Sequence, residues 1–184
     1  MQSDTMDQEE CSEIKEEDKR WIPSRERCTR INIDAIVQKS KEKVGWGIVA
    51  RNFERKLIMA WAMPNKYLSV LVVEKALAIQ MALIKAKQKG WKEIEIQSNC
   101  KTIIGKLQED SVEDVNCATV LEDIIKLWNE FDVCHFSFIR RIGNVVSHML
   151  AKFAMNLITN VTWERDFPTW LNMSAKKDRT KQLI

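Results

Sequence analysis

The sequence predicts an α/β fold in which helices pack on the faces of a mixed five-stranded sheet. Two observations support this fold class. Three segments of strand-like alternation in the first half of the chain are joined by short polar turns, and helical and strand-like segments alternate after them. The element order is therefore β-β-β-α-β-α-α-β-α, an antiparallel meander followed by crossovers that pass over the sheet. The length of 184 residues, 45% of them hydrophobic and 30% charged, fits one globular domain with short tails.

The first three strands form the meander, because each is separated from the next by only a few polar residues. Apolar side chains alternate along the first strand, which places Asp34 on the face opposite Ile33. In the second strand, Gly45 and Gly47 indicate that another part of the backbone approaches closely. The three predicted strands cover residues 30–37, 44–51 and 56–63.

A long helix follows the meander. Residues 68–87 contain no helix breaker and are rich in Leu, Ala, Ile and Met, so we predict a buried helix of about five turns. Gly90 is placed to end this helix. The remaining predicted elements are a strand over residues 92–97, a short helix over 99–107, a helix over 116–131, a strand over 133–140 and a helix over 144–156.

Charge divides the chain into three parts. Residues 1–20 carry eight acidic and three basic side chains, a net charge of −5, so the rest of the chain carries +8 within a total of +3. Few of these residues are apolar, and we predict a disordered acidic tail. The domain is predicted over residues 21–172, followed by a basic C-terminal tail over residues 173–184. A basic body favours a polyanionic partner, although a solvated surface accounts for the same charges.

Composition also excludes several functional classes. No run of 18 apolar residues is present, so neither a membrane-spanning helix nor a membrane partner is expected. The first residues lack the pattern of a secretory signal, and five cysteines at irregular spacing favour reduced thiols over disulfides or structural zinc. We therefore expect an intracellular protein, nuclear or cytoplasmic, that is a monomer.

Five segments resemble, in order, the ribonuclease H type 1-like domain that is abundant in plant genomes. This domain is also called reverse-transcriptase-like and is derived from retrotransposons. Each segment alone is a weak signal, but together they match the family over about residues 21–172, on the strand order that periodicity predicts. The segments are WIPSRERCTRINID, GWGIVARNFERKLIMAW, KALAIQMALIKAKQKGWKEIEIQSN, FSFIRRIGNVVSHMLAKFA and WERDFPTWL.

The resemblance implies a catalytic site of four carboxylates that hold two Mg²⁺ ions and cut the RNA strand of an RNA–DNA hybrid. The four positions in this chain are Asp34, Lys75, Asn99 and His148. Only Asp34 is a carboxylate, so it is the one residue of the four that would ligate the metal. With a neutral His148 the formal charge is 0 against −4 for a complete site, which predicts a degenerate site without a cofactor. A one-residue shift of the helix register would instead bring Glu74 to the site, and the alanine spacing of the helix disfavours that shift.

Two groups of basic residues are candidates for nucleic-acid binding, because basic side chains beside an aromatic ring can contact a phosphate backbone. One group lies at the end of the long helix and the other at the start of the last helix, where backbone N–H groups favour phosphate. The groups are Lys85, Lys87, Lys89, Trp91 and Lys92, and Arg140, Arg141 and Asn144. For the lysines, a solvated helix end is the alternative. Some family members insert a basic helix near residues 108–115, where this chain is acidic.

The leading hypothesis is a ribonuclease H-like domain that binds nucleic acid, an RNA–DNA hybrid or a related duplex, through a fold whose catalytic site is degenerate. The first alternative is an active RNA–DNA hybrid endoribonuclease, which would require Mg²⁺. The second is a protein-interaction scaffold. Cleavage of a hybrid distinguishes the first two hypotheses, and salt-dependent binding of a hybrid distinguishes the binding domain from the scaffold.

Overall fold

The computed structural model describes residues 26–66, 69–109 and 116–180. The predicted acidic tail over residues 1–20 lies outside the described residues. The strands are β1 (Thr29–Gln38), β2 (Lys43–Arg51), β3 (Leu57–Lys66), β4 (Glu93–Ser98), β5 (Val133–Phe138) and β6 (Val161–Trp163). The helices are α1 (Leu71–Gln88), α2 (Lys101–Gln108), α3 (Ala118–Trp128), α4 (Val145–Ala154) and α5 (Thr169–Thr180), with 3₁₀ turns at Lys39–Lys41 and Arg141–Gly143.

The strands form one mixed sheet in the order β5-β4-β1-β2-β3-β6, which confirms the predicted α/β class. The central strand β1 is antiparallel to β2 and parallel to β4, and β5 extends the parallel part. In this register Asp34 lies opposite Gly47 of β2, while Ile33 lies opposite Ser98, the last residue of β4. The chain leaving β4 therefore emerges beside Asp34.

The described part of the sheet has six strands, one more than predicted. β6 pairs antiparallel with β3, and Trp61 lies opposite Thr162. A strand of three residues is too short to show an alternation pattern in the sequence. It forms because the edge of β3 presents backbone N–H and C=O groups that a nearby extended segment can satisfy.

The C-terminal part of the described chain is a helix. α5 continues past residue 172, which was the predicted end of the domain, and buries Leu171 and Ala175. The predicted basic tail therefore begins within this helix, and residues 181–184 lie outside the described part. The sequence pattern did not predict this helix because the segment has few apolar residues. The helix packs through a small number of buried side chains.

Alternation along the strands divides the core between the two faces of the sheet. On one face α1, α2 and α3 cover a large cluster that includes Ile31, Ile33 and Ile96. On the other face α4 and α5 cover a smaller cluster that includes Val49 and Leu150. The predicted close approach in β2 is confirmed, because the α4 backbone lies directly over its two glycines.

The end of α1 also agrees with the prediction. Gly90 follows the helix with a φ of 71°, the left-handed conformation that glycine adopts without steric cost. Its N–H donates to the carbonyl of Lys87, and the N–H of Trp91 donates to the carbonyl of Ala86. None of the helices in the described residues is long and apolar enough to cross a lipid bilayer.

The cysteines within the described ranges are thiols, and Cys134 is one of the buried ones. Burial raises the pKa of Cys134 from 9.0 to about 12, and the neighbouring Cys28 adds to this effect. At pH 8 iodoacetamide should therefore label the half-buried Cys100 in the folded protein but label Cys134 only after unfolding, as measured by peptide mass spectrometry. The pKa of Cys134 is higher in the folded than in the unfolded protein, so the protonated thiol stabilises the fold. This contribution to the free energy of unfolding is fully present below pH 9 and is lost as the pH rises towards 12. Labelling of Cys134 in the folded state would contradict this expectation.

Candidate active site

Asp34 is the buried centre of a polar cluster between β1, α1 and α4. Its side chain is only 3% exposed, and both carboxylate oxygens are occupied. Oδ1 accepts a hydrogen bond from the backbone N–H of Ala35 at 2.9 Å and lies 3.4 Å from Nζ of Lys75. Oδ2 lies 2.8 Å from Nδ1 of His148. The carboxylate is thus compensated by groups of this chain.

Lys75 joins Asp34 to the end of β4. It lies in the second turn of α1, and its ammonium donates a hydrogen bond of 2.8 Å to Oδ1 of Asn99. Asn99 directly follows β4, at the point where that strand ends beside β1. The side chain of Lys75 is 14% exposed, so it is not fully enclosed by the domain.

His148 joins Asp34 to Arg141. The imidazole contacts the carboxylate through Nδ1, and its Nε2 lies 3.1 Å from Nη2 of Arg141. A carboxylate only accepts hydrogen bonds and a guanidinium only donates them. Both contacts are satisfied together by a neutral imidazole that carries its proton on Nδ1 and accepts at Nε2.

The four positions implied by the ribonuclease H resemblance are therefore adjacent in space, and Arg141 joins them. Glu74, the alternative residue from a shifted helix register, is directed elsewhere: its buried carboxylate accepts a hydrogen bond of 3.3 Å from Nε1 of Trp46. Lys75 is the residue of α1 that faces Asp34. Sequence reasoning assigned Arg141 to a separate basic group, although its position in the turn just before the helix of His148 was an available signal.

The backbone around His148 is held by Asn144. This side chain, 1% exposed, donates from Nδ2 to the carbonyl of Ile33 at 2.8 Å, and its Oδ1 accepts from the hydroxyl of Ser147 at 2.7 Å. The start of α4 is thereby tied to β1, one residue before Asp34. Asn144 was predicted as a nucleic-acid contact, and in the structure both of its polar ends are engaged inside the domain.

Replacing Asn144 with alanine should cost about 1–3 kcal/mol, because the buried carbonyl of Ile33 loses its hydrogen-bond donor and the hydroxyl of Ser147 loses an acceptor. Urea unfolding followed by circular dichroism measures this loss. Asn65→Ala is the matched control, since Asn65 is exposed and its side chain accepts a hydrogen bond from the neighbouring backbone N–H of Lys66. Equal stability of the two variants would show that the link between α4 and β1 is not important.

The predicted lysine group lies away from this cluster. Lys87 is twelve residues after Lys75 on the same helix, about 18 Å along its axis. Lys87 forms an ion pair with Glu130, and Lys89 contacts Glu164 at 3.0 Å. Trp91 packs edge-on against Trp61, with ring centroids 6.3 Å apart. Of the other lysines in this group, Lys85 is half-buried and Lys92 is exposed. In the second basic group, Arg140 is exposed beside Arg141.

The donor set does not fit Mg²⁺. This ion requires several oxygen ligands, mainly carboxylates, and Asp34 is the one carboxylate of the cluster. That carboxylate already contacts an ammonium and an imidazole. Among the described residues, no group of three or more His, Cys, Asp and Glu side chains is arranged to hold a metal ion.

The chain resembles known proteins at the level of family and fold. A family model described as "Reverse transcriptase-like" matches residues 32–154. A search of curated proteins found no significant match. Among solved structures, the ribonuclease H1 of the halophilic archaeon Halobacterium salinarum superposes with a TM-score of 0.64 at 15% identity, covering 70% of this chain and 98% of that chain.

Two further structures give the same result. The N-terminal ribonuclease H domain of a Mycobacterium tuberculosis protein, solved as a fusion with maltose-binding protein, has a TM-score of 0.63 at 15% identity, covering 70% of this chain and 94% of that one. The ribonuclease H1 LC11, whose structure is a complex with an RNA/DNA hybrid, has a TM-score of 0.63 at 18% identity, covering 70% and 96%. At sequence identities this low, the structural similarity shows the fold alone. The chain belongs to the reverse transcriptase-like family, and its described residues adopt the ribonuclease H-like fold.

Proposed function

We propose that this domain binds an RNA–DNA hybrid or a related duplex and does not cleave it. One observation carries the proposal: the ammonium of Lys75 contacts both Asp34 and Asn99, at the positions where the family resemblance implies metal-binding carboxylates. The cation occupies the electrostatic role of the metal without supplying its chemistry, because an ammonium neither activates water nor stabilises a leaving oxygen as a divalent ion does.

The charge of the cluster supports the loss of catalysis. Asp34 contributes −1, Lys75 and Arg141 contribute +1 each, and Asn99 and His148 are neutral, which makes the cluster +1. Two Mg²⁺ ions would add four positive charges to a site that is already positive, at distances where Coulomb repulsion in a partly buried region is strong. Mg²⁺ is therefore not expected as a cofactor.

The fold and the exposed cations support binding. LC11, which has the same fold, was solved in complex with an RNA/DNA hybrid. Arg140 and Arg141 are exposed in the turn before α4, next to the cluster. Guanidinium groups bind phosphate well, because their planar donors match two of its oxygens. We also propose that the domain derives from a plant retroelement. This proposal rests on the sequence resemblance and is independent of hybrid binding.

Purified wild-type protein should leave a labelled RNA–DNA hybrid intact with either Mg²⁺ or Mn²⁺, while binding it in fluorescence anisotropy. The logarithm of the binding constant should fall linearly with the logarithm of the salt concentration, with a slope of about −0.9 for each phosphate contact. Metal-dependent cleavage that is abolished by Asp34→Asn would establish the endoribonuclease instead. No binding at low salt would favour the protein-interaction scaffold.

Two double variants show which of the two basic groups contacts the hybrid. Lys87→Met with Lys89→Met removes cations that already have acidic partners, so we expect little change in the salt slope. Arg140→Met with Arg141→Met should lower the slope by about two contacts. The opposite order would place the hybrid on the lysine group that was predicted from the sequence.

A further inference from the structure

The geometry points to a direct phosphodiester-binding site at the position of the lost metal centre, formed by Lys75, Asn99 and Arg141 and independent of any metal. The site would hold a single phosphate group with one negative charge. Its source is either the backbone of a nucleic acid, which rests on the proposed function, or a free phosphodiester. The experiments below distinguish these sources.

The one carboxylate of the cluster is below the surface and is already neutralised. Asp34 is 3% exposed, and its oxygens are occupied by Lys75, His148 and a backbone N–H. An approaching anion therefore does not meet a bare carboxylate. Instead Asp34 acts as an internal counterion that orients Lys75 and His148.

Three side chains linked to Asp34, directly or through one neighbour, carry hydrogen-bond donors. An ammonium has three N–H donors, and the contacts of Lys75 with Asp34 and Asn99 leave one for a ligand. Asn99 accepts through Oδ1, so its amide NH₂ is the end directed away from Lys75. Arg141 is exposed and uses Nη2 on His148, which leaves the other donors of its guanidinium for a phosphate.

Charge selects the kind of anion. The cluster carries +1, and a phosphodiester carries −1, so binding brings the local charge to zero. A phosphate monoester near its second ionisation would leave an excess of negative charge over the buried Asp34. Ammonium and guanidinium groups form shorter and stronger hydrogen bonds to phosphate oxygens than neutral donors do. The site therefore favours a diester, the group that links nucleotides in a chain.

A titration with dimethyl phosphate in the presence of EDTA tests the site without a nucleic acid. The chain has two histidines, and the ring resonances of His148 should shift saturably because its Nε2 contacts Arg141. His135, exposed on β5, is the internal reference and should not shift in parallel. The shift should be lost in Arg141→Met and retained in Lys75→Arg, which keeps the cation. A shift that is absent, or equal at both histidines, would overturn the proposal.

The salt dependence of hybrid binding tests the same residues with a nucleic acid. In EDTA, Lys75→Met and Arg141→Met should each reduce the slope of log K against log salt by about 0.9. Lys126→Met is the matched control: it removes the same charge from a side chain that is 74% exposed on α3, and should leave the slope unchanged. Because Lys75 also compensates a buried carboxylate, thermal melts accompany each variant. Arg141→Met, an exposed change, decides the outcome if Lys75→Met does not fold.

The two experiments separate this inference from the proposed function. Hybrid binding with slopes in Lys75→Met and Arg141→Met equal to the control would refute the phosphodiester site and leave the proposed function standing. If the hybrid does not bind but dimethyl phosphate shifts His148 through Arg141, the proposed function fails and a free phosphodiester is the ligand. Binding that appears only when Mg²⁺ replaces EDTA would refute the metal-independent site.

Discussion

Gly47→Ala should destabilise the domain by about 3 kcal/mol, the largest effect that we expect of any single methyl group added to this fold. A Cβ at Gly47 would lie 2.1 Å from the carbonyl oxygen of Ser147, 2.4 Å from the backbone nitrogen of Ala151 and 2.8 Å from Cβ of Leu150. Two of these atoms belong to helix backbone and cannot rotate away. The whole of α4 must move outward to relieve the overlap, which opens the core between the helix and β2.

The same change should disturb the polar cluster, because α4 carries His148. Gly47 lies opposite Asp34 in the sheet, so a helix that moves away from Gly47 also moves His148 away from the carboxylate. Urea unfolding measures the loss of stability, and the ring resonances of His148 report the altered contact.

Gly105→Ala is the matched control for this prediction. Gly105 lies inside α2, and a Cβ there meets nothing within 4 Å. Alanine is the better helix former by about 1 kcal/mol, so this variant should be slightly more stable than the wild type. If Gly47→Ala matches the wild type or Gly105→Ala in stability, the close contact between α4 and β2 is not present in the protein.

Lys75→Glu combined with Asn99→Asp should create a protein whose stability depends on Mg²⁺. In a chelator the buried Asp34 loses its ammonium and gains two neighbouring carboxylates, and we expect a loss of about 3 kcal/mol from the uncompensated charge. Mg²⁺ at 100 times its dissociation constant would return about 2.7 kcal/mol. For a domain of this size that corresponds to a rise of about 5–10 °C in Tm.

The measurement is a pair of thermal melts, in EDTA and in Mg²⁺ at matched ionic strength. The wild type should melt at the same temperature in both, since Lys75 already compensates Asp34. Lys75→Ala is the control, because it removes the cation without supplying a ligand and should not respond to Mg²⁺. A Tm of the wild-type protein that rises with Mg²⁺ would contradict the assignment of Lys75 as the internal counterion, and would support the endoribonuclease.

Several parts of this protein could be predicted from the sequence, because local patterns determine them. Alternation predicted the first three strands, although β1 and β2 are buried on both faces, and the glycines of β2 predicted a close backbone approach, which α4 makes. The family resemblance implied Lys75 as the α1 residue of the site, and the alanine spacing of the helix correctly favoured it over Glu74. These features are encoded in residues that lie within a few positions of one another in the sequence, and sequence patterns predict structure over that range.

The tertiary structure decided the remaining features. β6 exists because β3 has an edge to pair with, and α5 is held by the side chains that it buries rather than by a strong apolar pattern. Arg141 joins the cluster through His148, and Asn144, which was predicted as a nucleic-acid contact, turns inward to hold β1. Residue types alone determined that a carboxylate, a cation, an amide and an imidazole stand at the four family positions. Their pairing depends on side-chain orientations set by contacts between segments far apart in the chain, and no local pattern records those orientations.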